Sequence, residues 1–277
     1  MADKFFIVLK LCTTGEGGER LETVSEGTKR DFAHEGYTIE RISTGIPKLD
    51  EFLQGGLPKN SITLVSGAPG SGKSILCFHF ISGGIKKGKK CLYVTADQEK
   101  ENILLHSGTL GFNFQAAIDD NLLKIIYVDP ETAGVYHRLE VAMMEDEFER
   151  VVIDSLSQFV DMPVLIERNI DFEKVPIVEK LSTYPANSVT VARHHIRRIF
   201  GLLRKHPSTA MVTSELPAEI SALSRDGISE FLADGVILLQ MDPMMDRRKL
   251  TIWKMRGTKH VLKPIDISIT DRGIEIK

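Results

Sequence analysis

The chain has 277 residues, of which 42% are hydrophobic and 26% charged, and its formal net charge at pH 7 is −3. This composition is typical of a globular protein with one large or two small domains, and it excludes a global basic field that would hold a nucleic-acid duplex. No apolar run approaches the ~20 residues that span a membrane, and Cys12, Cys77 and Cys91 lack the spacing of a disulfide or zinc framework, so we expect a cytoplasmic protein with reduced cysteines.

The first 39 residues differ in character from the rest of the chain. The apolar run FFIVLKLC is short, is interrupted by Lys10 and has no cleavage pattern after it, so it predicts a strand and not a signal peptide. Residues 13–37 are rich in Gly, Glu and Thr and predict a linker. We therefore expect one domain over residues 40–277, preceded by this strand and linker, for which the sequence indicates no role.

Strand and helix signals alternate from residue 61 onward. The strands are predicted at 61–67, 91–96, 122–129, 150–156 and 209–216. Helices are predicted between them. The helix after the strand 61–67, KSILCFHFISGG, is apolar on almost all sides and is predicted to end at its two glycines. The alternation indicates an α/β fold with a mostly parallel sheet covered on both faces. Beyond residue 235, GVILLQM, LTIWKM and PIDISIT predict antiparallel strands joined by the turn DPMMDRR.

The alternation breaks at residues 161–188, where three prolines and mixed charges give no clear period, which is typical of a functional or mobile segment. A helix is predicted near 190–206, with its buried face at Ala192, Ile196, Ile199 and Leu203. Its arginines are interpreted as a solvated face: Arg193, Arg197, Arg198 and Arg204. His194 and His195 point about 100° apart on a helix and have no acidic or Cys partner at ligand spacing, so they are interpreted as surface or interface residues.

Residues 67–74, GAPGSGKS, match the phosphate-loop (Walker A) pattern G-x-x-x-x-G-K-[ST] in full. Glycines let backbone N–H groups turn inward around phosphates, and the following helix directs its N-terminal dipole at them. Lys73 is expected to reach the β- and γ-phosphates, and the Ser74 hydroxyl to ligate Mg²⁺. The nucleotide contacts expected from this loop are Gly67, Pro69, Gly70, Ser71, Gly72, Lys73, Ser74 and Ile75. Because the motif lies between a buried strand and an apolar helix, it predicts binding of a nucleoside triphosphate and not a chance glycine-rich turn.

Asp154 ends the hydrophobic strand RVVID. A carboxylate at this place in a phosphate-loop protein holds Mg²⁺, here through the water shell of the ion. The alternative is a cap for the next helix, and the phosphate loop upstream favours the metal role.

Three other stretches narrow the class of protein. ISTGIPKLDEFLQGGLP lies directly before the phosphate-loop strand, and FLADGVILLQM is followed by LTIWKMRGTKH and ITDRGI. Together they resemble the KaiC-like branch of the RecA/RadA superfamily of ATPases, in particular the single-domain archaeal proteins, over residues 40–277. The resemblance implies a RecA-like αβα core, a homo-oligomeric ring that is commonly a hexamer, and ATP with Mg²⁺ held between neighbouring subunits.

In that family, the positions that match Lys254 and Arg256 reach the γ-phosphate of the next subunit. Strand residues two apart point to the same side, so both cations can address one anion. By spacing alone, a charge ladder on an exposed sheet face is the better explanation, and the resemblance favours the nucleotide role. The resemblance also implies nucleotide contacts at Thr109, Met255, Thr258, His260, Thr270 and Asp271.

The stretch YVTADQEK, residues 93–100, is either a capped helix start or the place where a water is directed at a phosphate. In KaiC-like ATPases this strand usually ends in two glutamates that activate the water, whereas this chain has Asp97 and Gln98. Asp97 is the candidate base, with a shorter side chain than glutamate. Gln98 can orient a water but cannot accept its proton. We therefore expect slower hydrolysis than in relatives with two glutamates.

Several functions remain open at this stage. The first is a slow ATPase that drives an assembly or signalling switch, with room for a regulatory protein partner. The second is a non-hydrolysing, ATP-bound scaffold, and the third a RadA-like DNA-dependent ATPase. Nucleic acid is disfavoured, because residues 161–188 are not strongly basic and this stretch shows no aromatic stacking platform. Autokinase activity is disfavoured as well, because Glu230 and Phe231 stand where the phosphorylated domain of the circadian-clock relative has Ser and Thr.

Overall fold

The structure is a computed structural model that describes residues 38–129, 132, 134–160, 189–216 and 222–277. Within it, Ile39–Lys277 form one compact unit. The predicted N-terminal strand, the linker, Cys12 and the whole of the irregular stretch 161–188 lie outside the described residues.

Nine strands of the described chain form one sheet in the order β11-β10-β9-β8-β3-β7-β6-β4-β5, and a two-stranded β1-β2 pair lies apart from it. The strands are β1 (Arg41–Ile42), β2 (Leu57–Pro58), β3 (Ile62–Gly67), β4 (Cys91–Thr95), β5 (Leu123–Tyr127), β6 (Arg150–Asp154), β7 (Thr209–Glu215), β8 (Gly235–Asp242), β9 (Arg247–Met255), β10 (Ile265–Thr270) and β11 (Gly273–Ile276). The six strands from β8 to β5 in this order are parallel, and β9, β10 and β11 continue the sheet antiparallel. The predicted mostly parallel sheet with antiparallel C-terminal strands is confirmed.

Helices cover both faces of this sheet. They are α1 (Pro47–Phe52), α2 (Lys73–Ile85), α3 (Lys100–Thr109), α4 (Phe114–Asp119), α5 (Val135–Met144), α6 (Ser157–Val160), α7 (Val189–Lys205) and α8 (Ser229–Leu232). One apolar cluster joins α1–α4 to the sheet, and a second joins α5–α7 to its other face. The strands are continuous hydrophobic runs because successive side chains enter the two clusters in turn, as Leu64 and Val65 do. The result is the predicted αβα core.

The glycines of α2 lie inside the helix and do not end it, so the sequence-based prediction of a helix closed by Gly83 and Gly84 was wrong. A Cβ on Gly83 would lie 2.9 Å from a guanidinium nitrogen of the fully buried Arg150, and one on Gly84 would lie 2.6 Å from Cys91 Sγ. The helix therefore continues to Ile85, and its two glycines make room for Arg150, which donates to Ser43 O at 2.8 Å.

The predicted buried face of α7 is confirmed, since Ala192, Ile196, Ile199 and Leu203 are all buried. The interpretation of His195 as a surface or interface residue was wrong. His195 is 3% exposed, its ring stacks on Tyr136, and its Nδ1 is hydrogen-bonded to the Tyr136 hydroxyl. The helical periodicity alone did not show this, because residue 195 lies at the edge of the apolar arc where α5 packs.

Candidate nucleotide site

The carboxyl ends of β3, β4, β6 and β7 meet at one edge of the sheet, because these strands are parallel neighbours. At this edge lies a cavity of about 520 Å³. Its lining residues are Pro69, Gly70, Lys73, Ser74, Ala96, Asp97, Gln98, Asp154, Ser155, Gln158 and Glu215. Residues from the phosphate loop, from the end of β4 and from the end of β6 are thus brought together around one space, although Lys73 and Asp154 are 81 residues apart in the sequence.

The phosphate loop runs from the end of β3 to the start of α2. Gly72 has a φ of 105°, a left-handed conformation that directs the first turn of α2 toward the cavity. A Cβ on Gly67 would lie 2.5 Å from Leu239 O, so only glycine fits beside β8 at that point. These backbone constraints leave the loop N–H groups and the amino end of α2 at the cavity, as an anion-binding cradle requires.

Lys73 lies at the floor of the cradle. Its Nζ donates to Gly67 O at 3.0 Å and to Ala68 O at 3.2 Å, so it bridges the loop back to its own start. Burial lowers the pKa of the Lys73 ammonium, and the carboxylates of Glu215 and Asp154 oppose this change. Ser71 Oγ is buried without a hydrogen-bond partner among the described residues, and the half-buried Ile75 packs its side chain against the core. Ile75 can therefore offer an anion only its backbone N–H.

Asp154 is held firmly at the back of the cavity. Its Oδ2 accepts a hydrogen bond from the Tyr93 hydroxyl at 2.6 Å, and its Oδ1 accepts one from Thr213 Oγ1 at 2.5 Å. Burial, followed by the Asp154 charge, raises the pKa of Tyr93, which keeps Tyr93 a hydrogen-bond donor. A carboxylate offers about four lone-pair sites, so Asp154 retains acceptor capacity toward the cavity. This arrangement suits an ion held through water.

Asp97 and Gln98 both line the cavity, and the loop that carries them is organised by Thr95. The Thr95 hydroxyl accepts from the backbone N–H groups of Asp97 at 3.3 Å and of Gln98 at 3.1 Å. Helix α3 begins only at Lys100, with Glu99 as its N-cap residue and no side-chain capping bond. Of the two interpretations of YVTADQEK, a helix cap is therefore not what these side chains form.

The charge environment of Asp97 differs from that of Gln98. Burial raises the pKa of the Asp97 carboxyl and the neighbouring carboxylates of Asp154 and Glu215 raise it further, while hydrogen bonds with Ser155 and Gln158 oppose this change. A higher pKa makes a carboxylate a better proton acceptor. Gln98 Oε1 lies 3.1 Å from Nδ1 of His106 on α3, which fixes the amide at the rim of the cavity.

The residues that line the cavity and that no sequence pattern indicated include Ser155, Gln158 and Glu215. Ser155 and Gln158 each form a side-chain hydrogen bond with the Asp97 carboxylate. Glu215 ends β7, and its backbone N–H donates to Ser157 Oγ at 2.8 Å. The signal that could have found Glu215 is the one that found Asp154: an acidic residue at the end of a hydrophobic strand, here TAMVTSE.

Lys254 and Arg256 lie at the opposite edge of the sheet. Lys254 is paired with Val236 of β8, and Val236 is paired with Leu64 of β3. Leu64 lies three residues before Gly67, so Lys254 is roughly 10 Å from the phosphate loop along the strand direction. Its Nζ donates to Glu230 O at 3.0 Å and to Ala233 O at 2.6 Å. Neither cation lines the cavity.

Arg256 follows the end of β9 at Met255, so the expectation that both cations lie on one strand was wrong. Its guanidinium forms an ion pair with Asp234 Oδ1 at 2.9 Å, and 57% of its side chain is exposed. Both cations nevertheless flank the same short stretch, residues 230–234, through these contacts.

The other residues expected to contact the nucleotide lie in two groups, one at the phosphate-loop edge of the sheet and one at the opposite edge, near Lys254. Thr270 and Asp271 form the tip of the β10-β11 hairpin, which stands at the phosphate-loop edge: a Cβ on Gly72 would lie 3.4 Å from Ile269 Cδ1. Thr109 ends α3 near the same tip, since a Cβ on Gly111 would lie 3.7 Å from Asp271 O.

Met255, Thr258 and His260 are instead on the Lys254 side. Met255 is 4% exposed and packs on Gly235, so its side chain belongs to the core of its own subunit. Thr258 Oγ1 accepts a hydrogen bond from Arg41.

The residues of the cavity fit a nucleotide phosphate with Mg²⁺. The cradle offers N–H groups and Lys73 to an anion, while Ser74 and Asp154 offer oxygen ligands to a hard cation. The described part of the chain has no group of three His, Cys, Asp or Glu side chains arranged to hold a metal ion. Among the described helices, none is long and apolar enough to cross a membrane.

Comparison with known proteins identifies relatives over almost all of the described chain. The family described as the KaiC ATPase matches residues 42–277. A UPF0273 protein of Pyrococcus furiosus is 30% identical over 241 residues, which cover 85% of this chain and 93% of that protein. The circadian clock oscillator protein KaiC of Prochlorococcus marinus is 25% identical over 86% of this chain, which spans 46% of that protein. The crystal structure of a KaiC-like protein from Pyrococcus horikoshii superimposes with a TM-score of 0.71 at 23% identity, over 87% of this chain and 100% of that one.

Proposed function

The chain belongs to the KaiC ATPase family, and we propose that it binds ATP with Mg²⁺ in the cavity beside the phosphate loop and hydrolyses it slowly. The observation that carries this proposal is the convergence of Lys73, Ser74, Asp97 and Asp154, from three separate strand ends, on one cavity of about 520 Å³. Each of these residue types has a distinct task in phosphoryl transfer, namely charge neutralisation, metal ligation and proton acceptance.

Each of these residues has its own role in the binding and hydrolysis of ATP. Lys73 exchanges its bonds to Gly67 O and Ala68 O for the β- and γ-phosphates, and the N–H groups of the loop and of the start of α2 hold the remaining oxygens. Ser74 and Asp154 hold Mg²⁺, which when bound neutralises charge on the phosphates. Asp97 accepts the proton of the attacking water, and Gln98 orients that water through its amide.

We propose that the active form is a ring of identical subunits, in keeping with the family resemblance and with a hexamer as its expected size. Lys254 and Arg256 support this form, because they lie away from the cavity of their own subunit, at the opposite edge of the sheet. In a head-to-tail arrangement this edge meets the phosphate-loop edge of the next subunit, and a cation supplied in trans couples hydrolysis to assembly. Thr258 and His260 would then approach the nucleotide from the same side as Arg256, and Thr109, Thr270 and Asp271 from the side of the phosphate loop. The same proposal holds that ATP hydrolysis drives an assembly or signalling switch and that a regulatory protein partner takes part in it.

A non-hydrolysing, ATP-bound scaffold is the second candidate. The feature that favours it is Gln98, an amide that replaces one of two carboxylates and whose Oε1 is engaged with His106. The two candidates differ in one observable, the release of phosphate from bound ATP.

The deciding experiment measures ATP binding and phosphate release on the size-separated oligomer with and without Mg²⁺. We expect slow, Mg²⁺-dependent release that is abolished in Lys73→Ala. It should be unaffected in Lys87→Ala, which removes an exposed lysine just beyond α2. Tight binding without release would select the scaffold. If the wild type does not bind ATP, or if Lys73→Ala is as active as the wild type, the proposal fails.

A further inference from the structure

The exposed arc of α7 is basic along its whole length. Between Val191 and Lys205, its exposed or half-exposed positions are Arg193, His194, Arg197, Arg198, Gly201, Arg204 and Lys205. No Asp or Glu occurs in the 17 residues of the helix. The whole chain carries a net charge of −3, so the positive charge is concentrated here while the remainder is more acidic than the average. A solvated helix face normally mixes both signs.

The cations of this arc are only partly neutralised. Lys205 forms an ion pair with Glu140 at 3.0 Å, Arg204 donates to Leu232 O at 2.6 Å, and the Arg198 guanidinium lies 4.2 Å from the centre of the Tyr136 ring. Arg193 and Arg197 have no hydrogen bond or ion pair within the described part of the chain. They lie one helical turn apart on the same side, so their charges add at one place.

The shape of the arc suits an extended anion. From Arg193 to Arg204 it runs along roughly 16 Å of helix, which equals about five nucleotide steps of one strand in a duplex. Gly201 lies in the middle of the arc, and a Cβ there would meet no atom within 4 Å, so a ligand can approach the helix backbone. Four of the five cations are arginines, whose planar guanidinium binds two phosphate oxygens at once.

The chemistry of the arc separates three kinds of anionic partner. An anionic membrane surface is disfavoured, because a helix that binds it inserts an apolar face, and the apolar face of α7 is packed on its own sheet. An acidic protein is disfavoured, since protein interfaces depend on buried aromatic or aliphatic anchors and the exposed arc holds none. The phosphodiester backbone needs neither, because binding to it is dominated by charge.

We propose that the exposed face of α7 binds the phosphodiester backbone of a nucleic acid, without base specificity, through Arg193, Arg197 and Arg204. This surface differs from the irregular stretch 161–188, in which acidic residues offset the basic ones and so disfavour binding of nucleic acid. The proposal is independent of ATP hydrolysis, because the residues that form the face do not line the nucleotide cavity.

The test is fluorescence anisotropy of labelled single-stranded and duplex 30-nucleotide DNA and RNA with the full-length protein, between low and moderate salt. We expect binding whose logarithm falls linearly with the logarithm of the salt concentration, with a slope of about −2 to −3 for three phosphate contacts. The double variant R193E/R197E should bind at least about tenfold more weakly and lose most of this slope. The matched control K87E/K89E reverses two exposed lysines beyond α2 and should bind as the wild type does.

Two further measurements keep the result decisive. Circular dichroism and oligomer size of R193E/R197E should equal those of the wild type, so that weaker binding reports the surface and not the fold. The proposal is overturned if the wild type binds no nucleic acid at low salt, or if the control variant loses as much affinity as R193E/R197E. Equal or tighter binding to polyglutamate or to phosphatidylserine vesicles would also overturn it, in favour of an acidic protein or a membrane surface.

Discussion

Glu215, the last residue of β7, is paired in register with Gly67, the last residue of β3 and the first of the phosphate loop. This pairing places a third carboxylate in the cavity, beside Asp97 and Asp154. Glu215 is also the charge that most strongly opposes the lowering of the pKa of Lys73. A site that the sequence presented as one lysine with two carboxylates therefore contains three carboxylates around that lysine.

Glu215→Gln tests the role of this third carboxylate. It keeps the size of the side chain and removes the charge opposite Lys73, so we expect kcat to fall by about tenfold or more with little change in KM for ATP. Steady-state kinetics checks this, with Glu147→Gln, an exposed glutamate elsewhere in the protein, as the matched control. Equal kinetics in Glu215→Gln and the wild type would remove Glu215 from the reaction while leaving the ATPase itself intact.

Asp97→Asn should lower kcat by roughly 10²-fold or more without loss of ATP binding, because the amide cannot accept the proton of the water. The pH dependence carries a second signature. The pKa of Asp97 is raised by burial and by neighbouring carboxylates, so the basic form is lost at a higher pH than for an ordinary aspartate. As the pH falls, kcat should begin to decline at a higher pH than it would with a base whose carboxyl pKa is about 3.9. Removal of the charge at residue 215, as in Glu215→Gln, should shift that decline to lower pH; an unshifted profile would contradict the electrostatic coupling.

Mixing two inactive variants tests whether Arg256 acts on the neighbouring subunit. Lys73→Ala destroys the cavity and keeps Arg256, whereas Arg256→Ala keeps the cavity and loses the cation. Rings assembled from both variants contain interfaces that join an intact cavity to an intact arginine, so we expect mixed rings to release phosphate faster than either variant alone. The control mixes Lys73→Ala with Asp97→Asn, both of which damage the cavity while retaining Arg256. If the first mixture shows no recovery despite proven subunit exchange, Arg256 does not act in trans.

His79 should make the fold sensitive to acid. Its Nε2 accepts the Ile274 N–H at 2.8 Å, which ties α2 to the β10-β11 hairpin, and burial lowers the pKa of His79 to about 4. Because this pKa lies below the ordinary 6.5, the stabilising contribution is complete above pH 6.5 and is lost as the pH falls toward 4, by roughly 3 kcal/mol. Urea unfolding at several pH values should show a weaker dependence in His79→Gln, which can accept the same N–H and does not titrate. Parallel curves for the two proteins would contradict this assignment.

Much of the fold followed from local patterns. The phosphate loop, the alternation of buried strands with helices and the late antiparallel hairpins are each encoded within a few consecutive residues, in hydrophobic periodicity and turn chemistry. The same local signals indicated Lys73, Ser74 and Asp154, because phosphate binding needs particular residue types at fixed spacing or at a strand end. The resemblance to KaiC-like ATPases added Lys254 and Arg256, which spacing alone did not single out, and it selected Asp97 as the candidate base.

Only the tertiary structure decided which distant residues share a space. Glu215 enters the cavity because β7 lies between β3 and β6, an order that the sequence does not state. Residues 83 and 84 must be glycine because Arg150 fills the room beside them, and His195 is buried where Tyr136 of α5 stacks on it. The sequence shows each arginine of α7 separately. Only the packing of α7 on the sheet shows that these arginines form one continuous exposed face. Local preferences act over a helical turn or a strand, whereas burial and electrostatic coupling act between segments that only the folded chain brings into contact.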